Sequence, residues 1–169
     1  MIGIPVSCCF SGHRPAKLPW GTDESDPRCL ALKKCIHDAV CSAIEENYSH
    51  FICGMAQGCD LYFAEEILYQ KAIHSGITLE AVLPCLTQAE GWQQKMKERY
   101  ERILAAADLE TVIQEAYSPG CMQRRNRYMV DHASLLIAAY GGVGGGTRRT
   151  GMYAMSRGLD IVDIPIEGL

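Results

Sequence analysis

"SLLIAAYGGVGGGTRR", residues 134–149, is the stretch on which the reading of the chain turns. Its first half is an unbroken apolar run of the length of a buried strand. Its second half, "YGGVGGGTRR" (140–149), holds five glycines in ten residues and ends on two arginines. Glycine loses more backbone freedom on ordering than any other residue. A turn this rich in it therefore serves unusual backbone angles or the close approach of another group. Beyond the turn the chain reads as a helix closing near Gly158, then a strand, "DIVDIP" (160–165). The unit is strand, glycine-rich turn, helix, strand.

Outward from that unit the same alternation fills the chain. Strands are predicted at 4–10, 50–54, 77–84, 109–114 and 134–140. Asp26 and Pro27 have the chemistry of a helix start. The helix they open carries Leu32, Ile36, Val40 and Ile44 along one face and reaches about Tyr48. A second helix spans 61–74 and is closed by Gly76. Thr87 and Glu90 have capping-box spacing and are expected to open a third, with Trp92, Met96, Tyr100 and Ile103 at helical intervals. A fourth is expected at 119–132. Strands and helices alternating at these lengths predict an α/β fold: a Rossmann-like three-layer sandwich with a mainly parallel sheet, in one domain over 1–169. The long irregular stretch 11–26, with Trp20 in it, is expected to act as a flap over a ligand.

Bulk properties narrow the function classes. Hydrophobic residues make up 48% and charged residues 21% of 169, a globular balance. No apolar run approaches 18 residues, so no membrane-spanning helix is expected. The start, "MIGIPVSCCF", lacks a basic segment and reads as a first strand; the expected location, cytoplasmic, rests on the cysteines. Nine cysteines without a C-x-x-C pair read as reduced core thiols. The histidines at 13, 37, 50, 74 and 132 show no ligand spacing, so no metal is expected. Cys59, at a helix start, reads as packed before reactive. No G-x-S-x-G elbow is present. A net charge of −4 makes nucleic acid an unlikely partner.

The chemistry is expected beyond the carboxyl ends of the strands, where open parallel sheets bind ligands. Three strands end in small, glycine-containing turns: "FSGHRP" (10–15), "CGMAQGCD" (53–60) and "YGGVGGGTRR". Glycines admit a phosphate to the backbone, and a following helix offers free N–H groups and the positive end of its dipole. Ser11, Gly12 and Arg14 are the candidates of the first turn; a surface ion pair is the competing role for Arg14. Between Arg124 and Arg157 six arginines stand against one acid, Asp131, a local balance of +5 that suits a small anion. Arg124 and Arg127 can equally belong to a solvated helix face.

These motifs carry a resemblance. "GMAQGCD" is similar to the glycine-rich turn of the DNA-processing protein A family, single-stranded DNA binders of bacterial transformation. "MQRRNRYMVDHASLLIAAYGGVGGGT" (122–147) resembles the signature of the phosphoribohydrolases that release cytokinin bases from nucleotides. Both are SLOG families, and "SGHRP", "GMAQGCD" and "DHASLLIAAYGG…GGT" together look closest to a small stand-alone bacterial SLOG family. The resemblance implies a Rossmann-like domain binding a nucleotide or nucleotide-derived ligand. It places ligand-binding roles on Gly54, Gly58 and Asp60, on Arg125, and on Gly141, Gly142, Gly146 and Thr147. Gly145 joins them as part of the anion's approach. Asp60 is then a ribose acceptor or a helix cap.

Departures from the hydrolases matter. Asn126 stands where they carry lysine. Thr150 stands where they carry the glutamate that stabilises positive charge on the ribose as the base leaves. A sensor or regulator that binds a small nucleotide-like ligand is therefore the leading expectation, and a homo-oligomer is compatible with it. A nucleotide 5'-monophosphate phosphoribohydrolase and a single-stranded DNA-binding module are the alternatives. No motif names a cofactor or assigns a catalytic residue.

Overall fold

The computed structural model describes residues 6–142 and 144–169; the first two residues of the expected first strand, Ile4 and Pro5, and Val143 of the glycine-rich turn lie outside them. Six strands, β1 (Val6–Gly12), β2 (Tyr48–Cys53), β3 (Thr78–Leu83), β4 (Leu109–Val112), β5 (Leu135–Tyr140) and β6 (Asp160–Pro165), form one sheet. Their order is β4-β3-β2-β1-β5-β6, and every pairing is parallel. Between them run α1 (Pro27–Glu45), α2 (Cys59–Ile73), α3 (Gln94–Ala106), α4 (Cys121–Asp131) and α5 (Gly146–Ser156).

The period of two along each strand builds the two faces. Cys8, Phe10, Phe51, Cys53, Leu79, Ala81, Ile137 and Ala139 point to one side and pack under α1, α2 and α3. Cys9, Ile52, Val82, Leu136 and Ala138 point to the other and pack under α4 and α5 with Met129 and Ala154. Right-handed crossovers explain the division. The chain walks from β1 to β4 in one direction, then jumps back to β5 and walks the other way, so its later helices land on the opposite face. The reversal places the switch point between β1 and β5, where Cys9 pairs with Leu136 and Gly12 with Ala139.

Helix starts follow local chemistry in α1 and depart from it in α3. Asp26 caps α1 by accepting from the Arg28 N–H at 2.8 Å, with Pro27 in the first turn. α1 stops at Glu45, before Tyr48, because Asn47 takes a left-handed conformation (φ 71°) and Tyr48 already belongs to β2. Thr87 and Glu90 do not open α3. They close a turn, Glu90 N–H to Thr87 C=O at 3.0 Å, and the helix begins at Gln94. Gly91 would sit inside a helix started at Thr87, at a cost of about 1 kcal/mol. Trp92 instead leaves the helix and packs edge-on against Tyr100, ring centroids 5.2 Å apart.

The stretch 11–26 is pinned along its length, unlike the expected flap. Leu18 and Trp20 are buried in the core, and the Trp20 indole N–H donates to the Tyr62 hydroxyl at 3.4 Å. Glu24 accepts from Arg99 at 2.9 Å and from Lys33 at 2.7 Å, tying the loop to α3 and α1. Only its first part, through a short 3-10 turn at Pro15–Lys17, borders the carboxyl edge of the sheet.

Candidate functional site

The three turns meet over the switch point because the backbone there is packed too tightly for side chains. A Cβ on Gly12 would overlap the Cβ of Cys59. Gly58 sits at φ 86°, and a Cβ on it would lie 2.8 Å from the His13 carbonyl oxygen. That carbonyl accepts from the Cys59 N–H at 3.2 Å, so the first turn is bonded to the start of α2. Towards the third turn, the His13 N–H donates to Ala139 C=O at 3.1 Å, and the Ser11 hydroxyl reaches Thr147 Oγ1 at 3.5 Å. The Lys17 ammonium donates to Gly144 C=O at 3.1 Å.

Between the turns lies a cleft of about 420 Å³. Of the residues expected from sequence, Ser11, Gly12, Arg14, Asp60, Arg125, Gly146 and Thr147 line it. Gly54 and Gly58 shape it from behind. Gly54 offers its carbonyl to Arg125, whose guanidinium carbon would come within 2.6 Å of a Cβ there. Gly145 precedes α5 and faces the Lys17 side chain. Gly141 and Gly142 turn away. The Gly142 N–H donates to Glu167 Oε1 at 3.0 Å, and the Gly141 N–H to His13 Nε2 at 3.0 Å. Sequence reasoning missed His13, Lys17, Gln123 and Arg149 in the lining. Three of the four sit in or beside motifs already singled out, "SGHRP", "MQRRNR" and "GTRR", so proximity to those turns was the available signal.

Burial sets the electrostatics. Arg125 is 3% exposed on α4. Its Nε donates to Asn126 Oδ1 at 2.7 Å and its Nη1 to Gly54 C=O and to Gln88 Oε1 at 3.3 Å. Its Nη2 reaches only the Met122 sulfur, at 3.9 Å. Burial pulls its pKa down, yet a guanidinium remains charged in proteins. Asp60, 5% exposed, is the sole carboxylate among the lining residues. It accepts from the Ala56 N–H at 3.1 Å, and burial pushes its pKa up against the opposing pull of Arg125. Burial, with Lys17 nearby, pushes the His13 pKa down and favours the neutral ring, which alone can accept from Gly141. Cys59 is buried and its thiol pKa is raised by burial, so it is a packing residue.

The remaining candidates are not in the lining of this cleft. Thr150 is buried in α5 and donates to Gly146 C=O at 2.9 Å. Asp131 accepts from the Tyr153 hydroxyl at 2.7 Å and faces Arg157, outside the cleft. Arg124 is held by Gln114 and Ser118. No helix among the described residues is long and apolar enough to cross a membrane, and no cluster of potential metal ligands occurs among them.

Comparisons with known proteins fit this arrangement. A UPF0398 protein of Halalkalibacterium halodurans is 29% identical over 111 residues, 64% of this chain and 59% of that protein. A Bacillus cereus UPF0398 protein is 26% identical over 133 residues, 77% of this chain and 71% of the relative. Among solved structures, DNA processing protein A from Helicobacter pylori, described for its single-stranded DNA binding mode, superposes over 95% of this chain and 66% of its own, with a TM-score of 0.65 at 14% identity. The Streptococcus pneumoniae protein of the same name superposes over 95% of this chain and 50% of its own, with a TM-score of 0.63 at 18% identity. At those identities the likeness is one of fold. The YpsA sequence family, described as the YspA SLOG family, matches residues 8–158. That match runs from inside β1 to just past α5 and takes in all three turns, so the chain belongs to the YspA SLOG family.

Proposed function

We propose that this protein binds a nucleotide or nucleotide-derived ligand in the switch-point cleft and acts as a cytoplasmic sensor or regulator. The observation that carries the reading is Arg125: a buried guanidinium on the cleft wall, one of whose nitrogens has only a sulfur for a partner. Across from it the N-terminus of α5, with Thr147 and the exposed Arg149, supplies the N–H groups and charge that a phosphate needs. Asp60 keeps a carboxylate oxygen for a ribose hydroxyl while its other oxygen holds the Ala56 N–H.

Binding is expected without efficient base release. An oxocarbenium-like transition state needs a carboxylate beside the sugar. Thr150 cannot supply one, Asp131 is outside the cleft, and Asp60 is already assigned to the Ala56 N–H and a ribose hydroxyl. Loss of such a group costs about 3 kcal/mol or more, roughly a hundredfold in rate. The test is calorimetric titration with adenosine monophosphate beside an assay for free adenine. Binding without release supports the reading, and rapid release promotes the hydrolase.

A second reading, single-stranded DNA binding, draws on the fold shared with DNA processing protein A. It requires affinity that falls steeply with salt, because each neutralised phosphate releases counterions.

A further inference from the structure

The cleft has two side recesses. Towards α4 and α5 it shares Gln123, Asn126, Gly146 and Arg149 with a recess of about 270 Å³ that adds Arg127, Thr150, Met152 and Tyr153. Towards the β3–α3 connection it shares Arg14, Ala16, Ala56 and Met122 with a recess of about 280 Å³ that adds Gln57, Gln88 and Trp92. The two recesses have no residue in common, and each shares part of its lining with the cleft. Each offers an aromatic ring, primary amides and an arginine. Trp92 is half-buried against Tyr100. Tyr153 is half-buried with the Arg127 guanidinium 5.4 Å from its ring centroid.

Rings give stacking surfaces to flat heterocycles, and amides pair with their edges. The cations and the helix N-terminus between them suit phosphate. We infer that the site takes a small two-ended ligand, a pair of base-like rings joined through phosphates, with one ring beside Tyr153 and the other beside Trp92. This rests on the phosphate-binding role of the cleft proposed above. A long polyanion fits less well, because outside 124–157 the chain carries a net −9.

The experiment titrates the full chain with adenosine monophosphate, with diadenosine diphosphate and with a fifteen-residue oligothymidylate. Diadenosine diphosphate is expected to bind at least tenfold tighter than adenosine monophosphate. Trp92→Ala and Tyr153→Ala are each expected to weaken it about tenfold, while only one of the two weakens the mononucleotide. Trp92→Phe and Tyr153→Phe keep a ring and should restore most of the affinity, which separates stacking from damage to the fold. Equal affinity for the one- and two-base probes, or either alanine variant without effect on the two-base probe, overturns the two-ended site. Preferential oligothymidylate binding with steep salt dependence overturns it in favour of a strand-binding groove. If adenosine monophosphate binds and Arg125→Ala weakens it, the cleft reading stands even where the two-ended inference fails. Binding of no probe overturns both.

Discussion

The two halves of "GGVGGG" have nearly the same composition and opposite fates. The amides of Gly141 and Gly142 are consumed within the chain, by the His13 ring and by the Glu167 carboxylate. Gly145 and Gly146 open α5, and Gly146 is on the cleft wall with nothing within 4 Å of where its Cβ would be. A glycine-rich turn is therefore two devices in series. The first half fastens the end of β5 to β1 and to the C-terminal segment. The second leaves helix N–H groups facing space that a ligand can fill. Glycine content cannot tell the halves apart; the partners of their N–H groups can.

The largest expected effect tests the open half through its buried cation. Arg125→Ala should cost about 1.5–3 kcal/mol in phosphate-ligand affinity, the worth of a hydrogen bond to a charged group, or roughly tenfold to a hundredfold in Kd. Because the substitution also strips Gly54 C=O and Gln88 of a donor, melting should be followed beside calorimetry. An unchanged Kd in a folded Arg125→Ala protein would remove this side chain from the site.

Next in size is a paired comparison of the two halves. Gly146→Ala meets no protein atom and improves helix propensity, so it should leave stability unchanged or raise it by up to about 1 kcal/mol. Its methyl group projects where an anion would approach, and affinity should fall about fivefold to tenfold. Gly142→Ala places a Cβ in ordinary contact with Glu167, 3.6 Å away, and should leave affinity unchanged. Titration of both variants against the same nucleotide reads the contrast directly. Equal losses would erase the distinction between the halves.

That distinction also marks how far the sequence can be read. Alternating apolar runs and turn residues suffice for the six strands, five helices and parallel sheet: burial on both faces marks the inner strands, and the edge strands β4 and β6, mostly exposed, are marked by the alternation of the elements around them. The convergence of the three turns follows from strand direction alone, which brings Ser11, Arg14, Asp60 and Thr147 together, while Arg125, on α4, is legible only through the family resemblance. The partner of Gly142 does not follow. Glu167 lies 25 residues away, and only the path of the chain after β6 brings it back. The position of His13 in "SGHRP" and of Lys17 beside it is legible, but their orientation is not, since the 3-10 turn at Pro15–Lys17 and the anchoring of Trp20 set it. The α3 start misleads for the opposite reason. A local capping pattern is present, and Gly91 and the packing of Trp92 on Tyr100 override it.

A smaller effect is expected in the closed half. Glu167→Gln keeps an oxygen acceptor for the Gly142 N–H but removes the charge. The contact is exposed, so its loss should cost below about 1 kcal/mol, seen as a melting shift of a few degrees at most. Ligand affinity should not move. A tighter-binding Glu167→Gln protein would show instead that this carboxylate repels the ligand, and would tie the first half of the turn to the cleft.

The smallest effect concerns pH. His13 joins the two halves, lining the cleft while its Nε2 accepts from Gly141. Burial, then the Lys17 charge, lowers its pKa from the ordinary 6.5, so the folded chain holds the ring neutral where the unfolded chain begins to protonate. Between those two values the unfolded state binds more protons, and stability rises with pH there. The contribution is present above about pH 6.5 and is lost as pH falls through the lowered folded-state value, where the ring gains a proton and can no longer accept from Gly141. The whole hydrogen bond is worth about 1 kcal/mol, and only the fraction linked to protonation above pH 5 is read in this range. Melting curves between pH 8 and pH 5 on the parent chain and on His13→Gln, which retains an uncharged acceptor, isolate the effect. The parent should lose more stability than the variant over that range. Parallel curves would mean that protonation of His13 does not disturb the turn, and that the closed half is held by Glu167 alone.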